Sequence, residues 1–239
     1  MPEVDGVFNV LMVGVGGQGI ILASDILAEA AMLAGLDAKK SEVHGMSQRG
    51  GPVFSHVRFG PQVHSPVIGQ GEADVIYALE RMELLRWAPW ARPGATAVYA
   101  DTDLLPTTTD AYPAGIDDEI AARFGHVVRF DMRALRSQIN PKAKNTVLLG
   151  AVALLAPLPL DAYAQAIAGL VPAGTADANL TGFEVGRRIA AEALGIELDA
   201  QAAPAASAME LDAQGATASG IGLDARLAPA ASMVSSGAE

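Results

Sequence analysis

The stretch VFNVLMVGVGGQGIILASDILAEAAMLAGL, Val7 to Leu36, decides the class of fold. It begins with an apolar, β-prone run, Val7 to Val13, and glycines follow at once. From Ile20 onward apolar residues recur at helical spacing (Ile21, Leu22, Ile26, Leu27, Ala30, Leu33), and Gly35 offers a stop. Strand, glycine turn and helix in that order are how an α/β domain with a buried sheet begins.

The remainder of the chain continues the alternation. Residues 36–41 offer a second strand. PVFSHVRFG alternates, with Val53, Ser55, Val57 and Phe59 on one parity and Phe54, His56 and Arg58 on the other; with PQVHSPVIG beyond a Gly-Pro turn it reads as a β-hairpin. ADVIYAL, GATAVYA and HVVRFDM read as further strands, and ERMELLRWAPWA and DDEIAARFG as short helices. Residues 145–156 read as an apolar helix, and LDAYAQAIAGLV and ANLTGFEVGRRIAAEALG complete a helical C-terminal half. The expectation is a three-layer α/β domain over residues 1–197. It has a largely parallel or mixed sheet, a Rossmann-like strand-turn-helix opening and a β-hairpin insertion. Residues 198–239 are rich in Ala, Ser, Gly and Pro and read as a flexible tail, in which SAMELDA and GLDARLA are the candidates for docking on a partner.

Composition narrows the function classes. The 239-residue chain is 51% hydrophobic, enough for a sizeable core, and its formal net charge of −11 argues against a duplex nucleic-acid partner. With no Cys, it has no disulfide framework, no thiolate-held iron–sulfur cluster and no Cys nucleophile of its own. The acidic N-terminus MPEVDG lacks a basic signal region, and the apolar run Val147–Leu160 is too short to span a bilayer, so the expected setting is the cytoplasm. His44, His56, His64 and His126 lack ligand spacing with nearby carboxylates, although His56 and His64 would face each other across the expected hairpin, so no metal site is expected.

Two glycine-rich motifs carry the chemistry. Gly14-Val15-Gly16-Gly17-Gln18-Gly19 matches G-x-G-x-x-G between a strand and a helix, where free N–H groups at the helix start suit an anion. A dinucleotide reading also wants an acidic residue about 20 positions on, and Asp37 and Glu42 are the candidates. Gln18 inside the glycine run, and the crowded motif that follows the second strand, argue against a nicotinamide site. A purely structural tight turn is the other alternative. The second motif is SEVHGMSQRGGPV, Ser41 to Val53. A histidine such as His44 can donate, accept or change charge, Ser47 and Gln48 are neutral donors and acceptors, and Arg49 can grip a carboxylate or phosphate with two parallel bonds. Gly45, Gly50 and Gly51 permit backbone shapes closed to other residues, and Pro52 fixes the exit into the next strand. So many polar functions between glycines fit a ligand or interface loop. A surface pair of Arg49 with Glu42 and a structural role for His44 are the plainer alternatives.

GVGGQGI followed by SEVHGMSQRGGPV resembles the gamma-type subunit or domain of the 2-oxoacid:ferredoxin oxidoreductases, and within them is most similar to the small (beta) subunit of the indolepyruvate type. KNTVLLGA, Lys144 to Ala151, is similar to the family's Asn-containing helix start, and ANLTGFEVGRR, Ala178 to Arg188, to its closing Asn–Phe–Gly helix. The likeness covers about residues 7–195. It implies a heteromeric enzyme whose large subunit carries thiamine diphosphate, Mg and [4Fe-4S] clusters. That partner oxidatively decarboxylates a 2-oxoacid, forms an acyl-CoA from CoA and passes electrons to ferredoxin. The gamma-type chain holds none of these cofactors alone and is silent in isolation. By the same resemblance Gly14, Gly16, Gly17, Gln18 and Gly19 form one loop and His44, Ser47, Gln48, Arg49, Gly50 and Gly51 another, facing the partner's active site. His44 or Arg49 would assist there with positive charge or donors. Asn145 is a further candidate, or an N-cap for the helix that follows. The rival readings are a nicotinamide-dependent dehydrogenase and a non-catalytic scaffold.

Overall fold

The computed structural model describes residues 6–44, 51–105 and 111–198, with His44 by its backbone alone. In chain order the elements are β1 (Phe8–Val15), α1 (Ile20–Leu33), β2 (Asp37–His44), β3 (Pro52–Gly60), β4 (Ala73–Ala78), α2 (Arg81–Trp87), β5 (Ala91–Ala100), α3 (Ile116–Arg123), β6 (His126–Phe130), α4 (Lys144–Leu155), α5 (Leu160–Leu170) and α6 (Ala176–Leu194). The described residues form one six-stranded sheet in the order β2-β3-β1-β4-β5-β6. β1, β4, β5 and β6 run parallel, and β3 runs antiparallel to both β1 and β2, so the sheet is mixed. The expected tail lies, from residue 199 on, outside the described residues.

Alternation along the strands builds two cores. Val10 and Met12 of β1, Tyr77 of β4, Val98 of β5 and Phe130 of β6 face α1, α4, α5 and α6. Leu11, Val13, Ile76, Ala97 and Tyr99 face α2 and α3 on the other side. Period-two side-chain direction is what lets one strand feed both layers. The apolar run at 145–156 is the expected core helix, with Asn145 through Ala153 all buried in α4. Burying each of its Val and Leu side chains contributes about 2 kcal/mol. α4 is covered on its outer side by α6, where a Cβ on Gly186 would collide with the Val147 carbonyl. The glycine of the closing motif thus sets the helix–helix distance.

One expected element is absent from where the sequence placed it. β3 does belong to a hairpin, but its partner is β2 before it, and residues 61–69 contain no strand. The reason is topological: both edges of β3 are already taken, by β1 and β2, and Pro61 and Pro66 cannot supply ladder N–H groups. Side chains hold the segment instead. Arg58 donates from Nη1 to the carbonyls of Ser65 (3.1 Å) and Val67 (2.9 Å), and Val63 N–H donates to Asp37 Oδ2 at 2.7 Å. His56 does not face His64. It is buried and accepts the Ile68 N–H on Nδ1 at 3.2 Å, and burial lowers its pKa, whereas His64 is exposed.

Candidate functional site at the carboxyl edge of the sheet

The parallel strands β1, β4, β5 and β6 all end at one edge. From β1 the chain turns outward to β2, then returns past β1 to β4, so the strand order reverses between β1 and β4. Crevices at such reversals are where open α/β sheets bind ligands. Here the crevice is filled by the protein's own side chains. Gln18 folds back over Gly14: its Oε1 accepts the Val15 N–H at 2.7 Å and its Nε2 donates to the Leu79 carbonyl at 3.2 Å, just beyond the end of β4. Leu79 N–H donates in turn to the Val13 carbonyl at 3.1 Å. Gln18 therefore ties β1 to β4, a role its position in the glycine run did not disclose.

Asn145 completes the knot. Its Nδ2 donates to the carbonyls of Gln18 (3.0 Å) and Gly19 (3.1 Å), and its own carbonyl accepts the Tyr77 hydroxyl at 3.1 Å. It is not the N-cap of α4; that position is Ala143, without a side-chain cap. Asn145 lies inside the first turn of α4, beside the start of α1, where its amide adds a donor to the Gly19 carbonyl that already accepts the Ala23 N–H. Gly19 is the N-cap of α1 with φ 85°, a left-handed conformation that favours glycine, and a Cβ there would run into the Asn145 amide. Neither α1 nor α4 has a side-chain cap, and neither has an acidic residue in its first turn. The Asn145 Oδ1 is buried without a donor. Next to it, burial lowers the pKa of half-buried Lys144, which has no carboxylate partner among the described residues.

The two sequence motifs do meet. Gly14, Val53 and His44 pair across three adjacent strands, so the β2–β3 connection opens at the edge that carries the glycine turn. Gly16 N–H donates to the carbonyl of buried Gly51 at 2.9 Å, while Gly16 and Gly17 are exposed at the tip. Ser47, Gln48, Arg49 and Gly50 lie outside the described residues, as does the side chain of His44. The same topology disposes of the dinucleotide candidates. β2 is separated from β1 by β3, about 10 Å away. Asp37 lies at the opposite end of β2, and Glu42 pairs with Lys40.

Beyond β4, β5 and β6 the edge opens into a cleft of about 540 Å³ lined by Arg81, Asp101, Asp103, Arg129, Asp131, Arg133 and Arg136, with Thr102 and Met132. Arg81 holds Asp103 through two 2.7 Å bonds and Asp117 through one at 3.1 Å, and Arg129 pairs with Asp101 and with Asp117 at 3.3 Å. Burial opposes the Arg81 charge, but its bonds to Asp103 and Asp117 outweigh that and raise its pKa. Tyr112 donates to buried Glu80 and accepts the Met82 N–H at 3.0 Å, which fastens the segment after residue 110 to this edge. Asp131 accepts the N–H groups of Arg133 (2.9 Å) and Ala134 (3.0 Å), which lowers its pKa. Sequence reasoning missed the whole cluster. The signal was present as charges directly after three strands, in ALER, YADTD and RFDMR.

Among the described residues no three His, Cys, Asp or Glu side chains are placed to hold a metal, and no helix is long and apolar enough to cross a membrane. With no Cys either, the donor set of this chain does not fit a thiolate-held cluster.

The comparisons with known proteins agree with this architecture. The chain is 34% identical over 201 residues to indolepyruvate oxidoreductase subunit IorB of Thermococcus kodakarensis, covering 78% of this chain and 98% of that one. It is 33% identical over 200 residues to the subunit of the same name in Pyrococcus horikoshii, with the same shares covered. The crystal structure of a keto/oxoacid ferredoxin oxidoreductase gamma subunit from Geobacter sulfurreducens is similar with a TM-score of 0.62 at 25% identity, covering 79% of this chain and 99% of that one. The model of the pyruvate ferredoxin/flavodoxin oxidoreductase family matches residues 9–189, well over half of the chain, and the chain belongs to that family.

Proposed function

We propose that this chain is the small subunit of a heteromeric 2-oxoacid:ferredoxin oxidoreductase of the indolepyruvate type, and that its two glycine-rich loops complete the active site of a larger partner. The observation that carries this reading is the Gly16–Gly51 hydrogen bond, with the alignment of Gly14, Val53 and His44 across three strands. The loop containing Ser47, Gln48 and Arg49 leaves and re-enters the sheet beside the exposed Gly16-Gly17 tip. The partner holds thiamine diphosphate, Mg and the [4Fe-4S] clusters, CoA is the co-substrate, and ferredoxin takes the electrons. Bound there, thiamine diphosphate supplies the carbanion stabilisation that decarboxylation requires. This chain's part is positional and electrostatic: backbone N–H groups at the turn, and donors or positive charge from His44 or Arg49 toward a carboxylate or phosphate in a site closed to water. Likeness to the IorB subunits favours an arylpyruvate as substrate.

The test uses the assembled complex. Arg49→Ala is expected to lower turnover by about 10-fold or more, an effect typical of a lost charged contact in a closed site, with co-purification and thermal midpoint unchanged. Unchanged turnover removes Arg49 from the reading. The nicotinamide alternative makes a separate prediction, binding of NAD(H) by the isolated chain. The Gln18 side chain folded over the turn speaks against it.

A further inference from the structure

The four arginines and four aspartates at the carboxyl-edge cleft balance in number but are not evenly paired. Arg81 and Arg129 are matched by Asp101, Asp103 and Asp117. Asp131 is occupied by two backbone N–H groups. That leaves Arg133 and Arg136, both exposed, both lining the cleft and neither in an ion pair among the described residues, although Asp131 feels the Arg133 charge. They are not independent surface side chains. Arg133 precedes the 3₁₀ turn Ala134–Ser137, Arg136 lies within it, and Arg136 N–H donates to the Arg133 carbonyl at 3.3 Å. A 3₁₀ turn has about three residues per revolution, so side chains three apart stand one above the other. The turn itself is anchored by the Asp131 cap and by buried Leu135 and Ile139. Two arginines three residues apart on one anchored turn thus line a cleft of small-molecule size. They also sit beyond the ends of parallel strands, where α/β sheets bind their ligands.

We infer that Arg133 and Arg136 form a clamp for a phosphate-bearing small molecule, a diphosphate or nucleotide-type anion, bound in the cleft beyond β4, β5 and β6. Two forks of N–H donors match a phosphate or diphosphate better than a single carboxylate, because each guanidinium can take two oxygens of a multiply charged group. The fixed Arg81–Asp103–Asp117 network forms a polar back wall. The site is separate from the glycine turn, whose crevice the Gln18 and Asn145 side chains occupy.

The full chain is titrated calorimetrically with pyrophosphate, ADP, adenosine and succinate. Pyrophosphate and ADP are expected to bind, adenosine not, and succinate far more weakly than pyrophosphate. The double variant Arg133→Ala/Arg136→Ala is expected to weaken pyrophosphate binding by at least about 10-fold, the loss of two charged contacts. Its thermal midpoint should stay within about 2 °C of the parent, since both side chains are exposed. Arg188→Ala removes an equally exposed arginine of α6 that does not line the cleft, and should leave binding unchanged. The clamp is overturned by any of three results: no pyrophosphate binding up to about 5 mM, a weak limit on the affinity scale; equal losses in the double variant and in Arg188→Ala; or succinate binding as tightly as pyrophosphate. All arms read binding to the isolated chain, so they stand or fall independently of Arg49 and turnover in the complex.

Discussion

The carboxyl edge of this sheet has two halves that handle polar groups in opposite ways. At the β1–β4 reversal, the Gln18 amide and the Asn145 Nδ2 are spent on the protein's own backbone, bridging Val15, Leu79, Gln18 and Gly19. At the β4–β6 cleft, an ion-pair network of Arg81, Arg129 and three aspartates stands beside two arginines that form no ion pair among the described residues. The first half holds the fold in the shape that brings two loops together. The second has chemistry to spare. A glycine-rich fingerprint is therefore no measure of ligand capacity: its crevice can be closed from within, while an ordinary run such as DMRALR opens the adjoining edge.

The largest effect that tests this contrast is Asn145→Asp. The amide donates to two carbonyls in a buried setting, and a carboxylate there faces both with no proton to give. A loss of about 3 kcal/mol at neutral pH is expected, because an uncompensated buried charge is added to two lost hydrogen bonds. The variant's carboxyl pKa is thereby raised in the folded state. Its penalty is full above that raised value and shrinks as pH falls through it, where the protonated carboxyl regains one donor. Denaturant midpoints at pH 7 and in mild acid read both. A variant as stable as the parent at pH 7 would show that the knot does not hold the edge.

Gln18→Ala comes next. It strips an acceptor from Val15 N–H and a donor from the Leu79 carbonyl, and should cost about 1–2 kcal/mol. It also removes one of the two side chains that occupy the crevice, so the same variant tests whether the turn binds anions once Gln18 is gone. A gain of pyrophosphate binding at the turn would show that Gln18 blocks a latent site; no gain leaves it a brace alone.

How much of this was legible follows the same division. The strand-turn-helix opening, the buried α4 and the Gly35 stop were readable because hydrophobic period and glycine conformation are local properties. The partner of β3 was not. Alternation in PVFSHVRFG says that it is a strand but not which neighbour it pairs with, and β1 and β2 had already claimed both its edges. Asn145 was legible as a polar residue at a helix start, yet its partners are more than a hundred residues away in sequence, so the local N-cap was the nearer guess and the wrong one. Arg133 and Arg136 escaped notice because a spacing of three matters only once Asp131 folds the segment into a 3₁₀ turn.

The smallest effect concerns Lys144, the neighbour of Asn145 in the chain. It is the first residue of α4, half-buried, with no carboxylate partner among the described residues, and burial depresses its pKa. A cation at a helix N-terminus also opposes the helix dipole. Below the folded pKa the charge is present in folded and unfolded chains alike, and the folded chain bears its cost. Lys144→Met should therefore raise stability by about 0.5 kcal/mol at pH 7, the scale of one charge–dipole term. The sign of the pH dependence is fixed by the depressed value: the parent gains stability as pH rises through its folded pKa, and the cost has vanished above the usual 10.5. The two proteins should accordingly differ at pH 7 and converge near pH 10.5 in paired thermal melts. If Lys144→Met is instead destabilising at pH 7, the lysine has a stabilising partner and the carboxyl edge is internally satisfied there as well, which would narrow the contrast between its halves to Arg133 and Arg136.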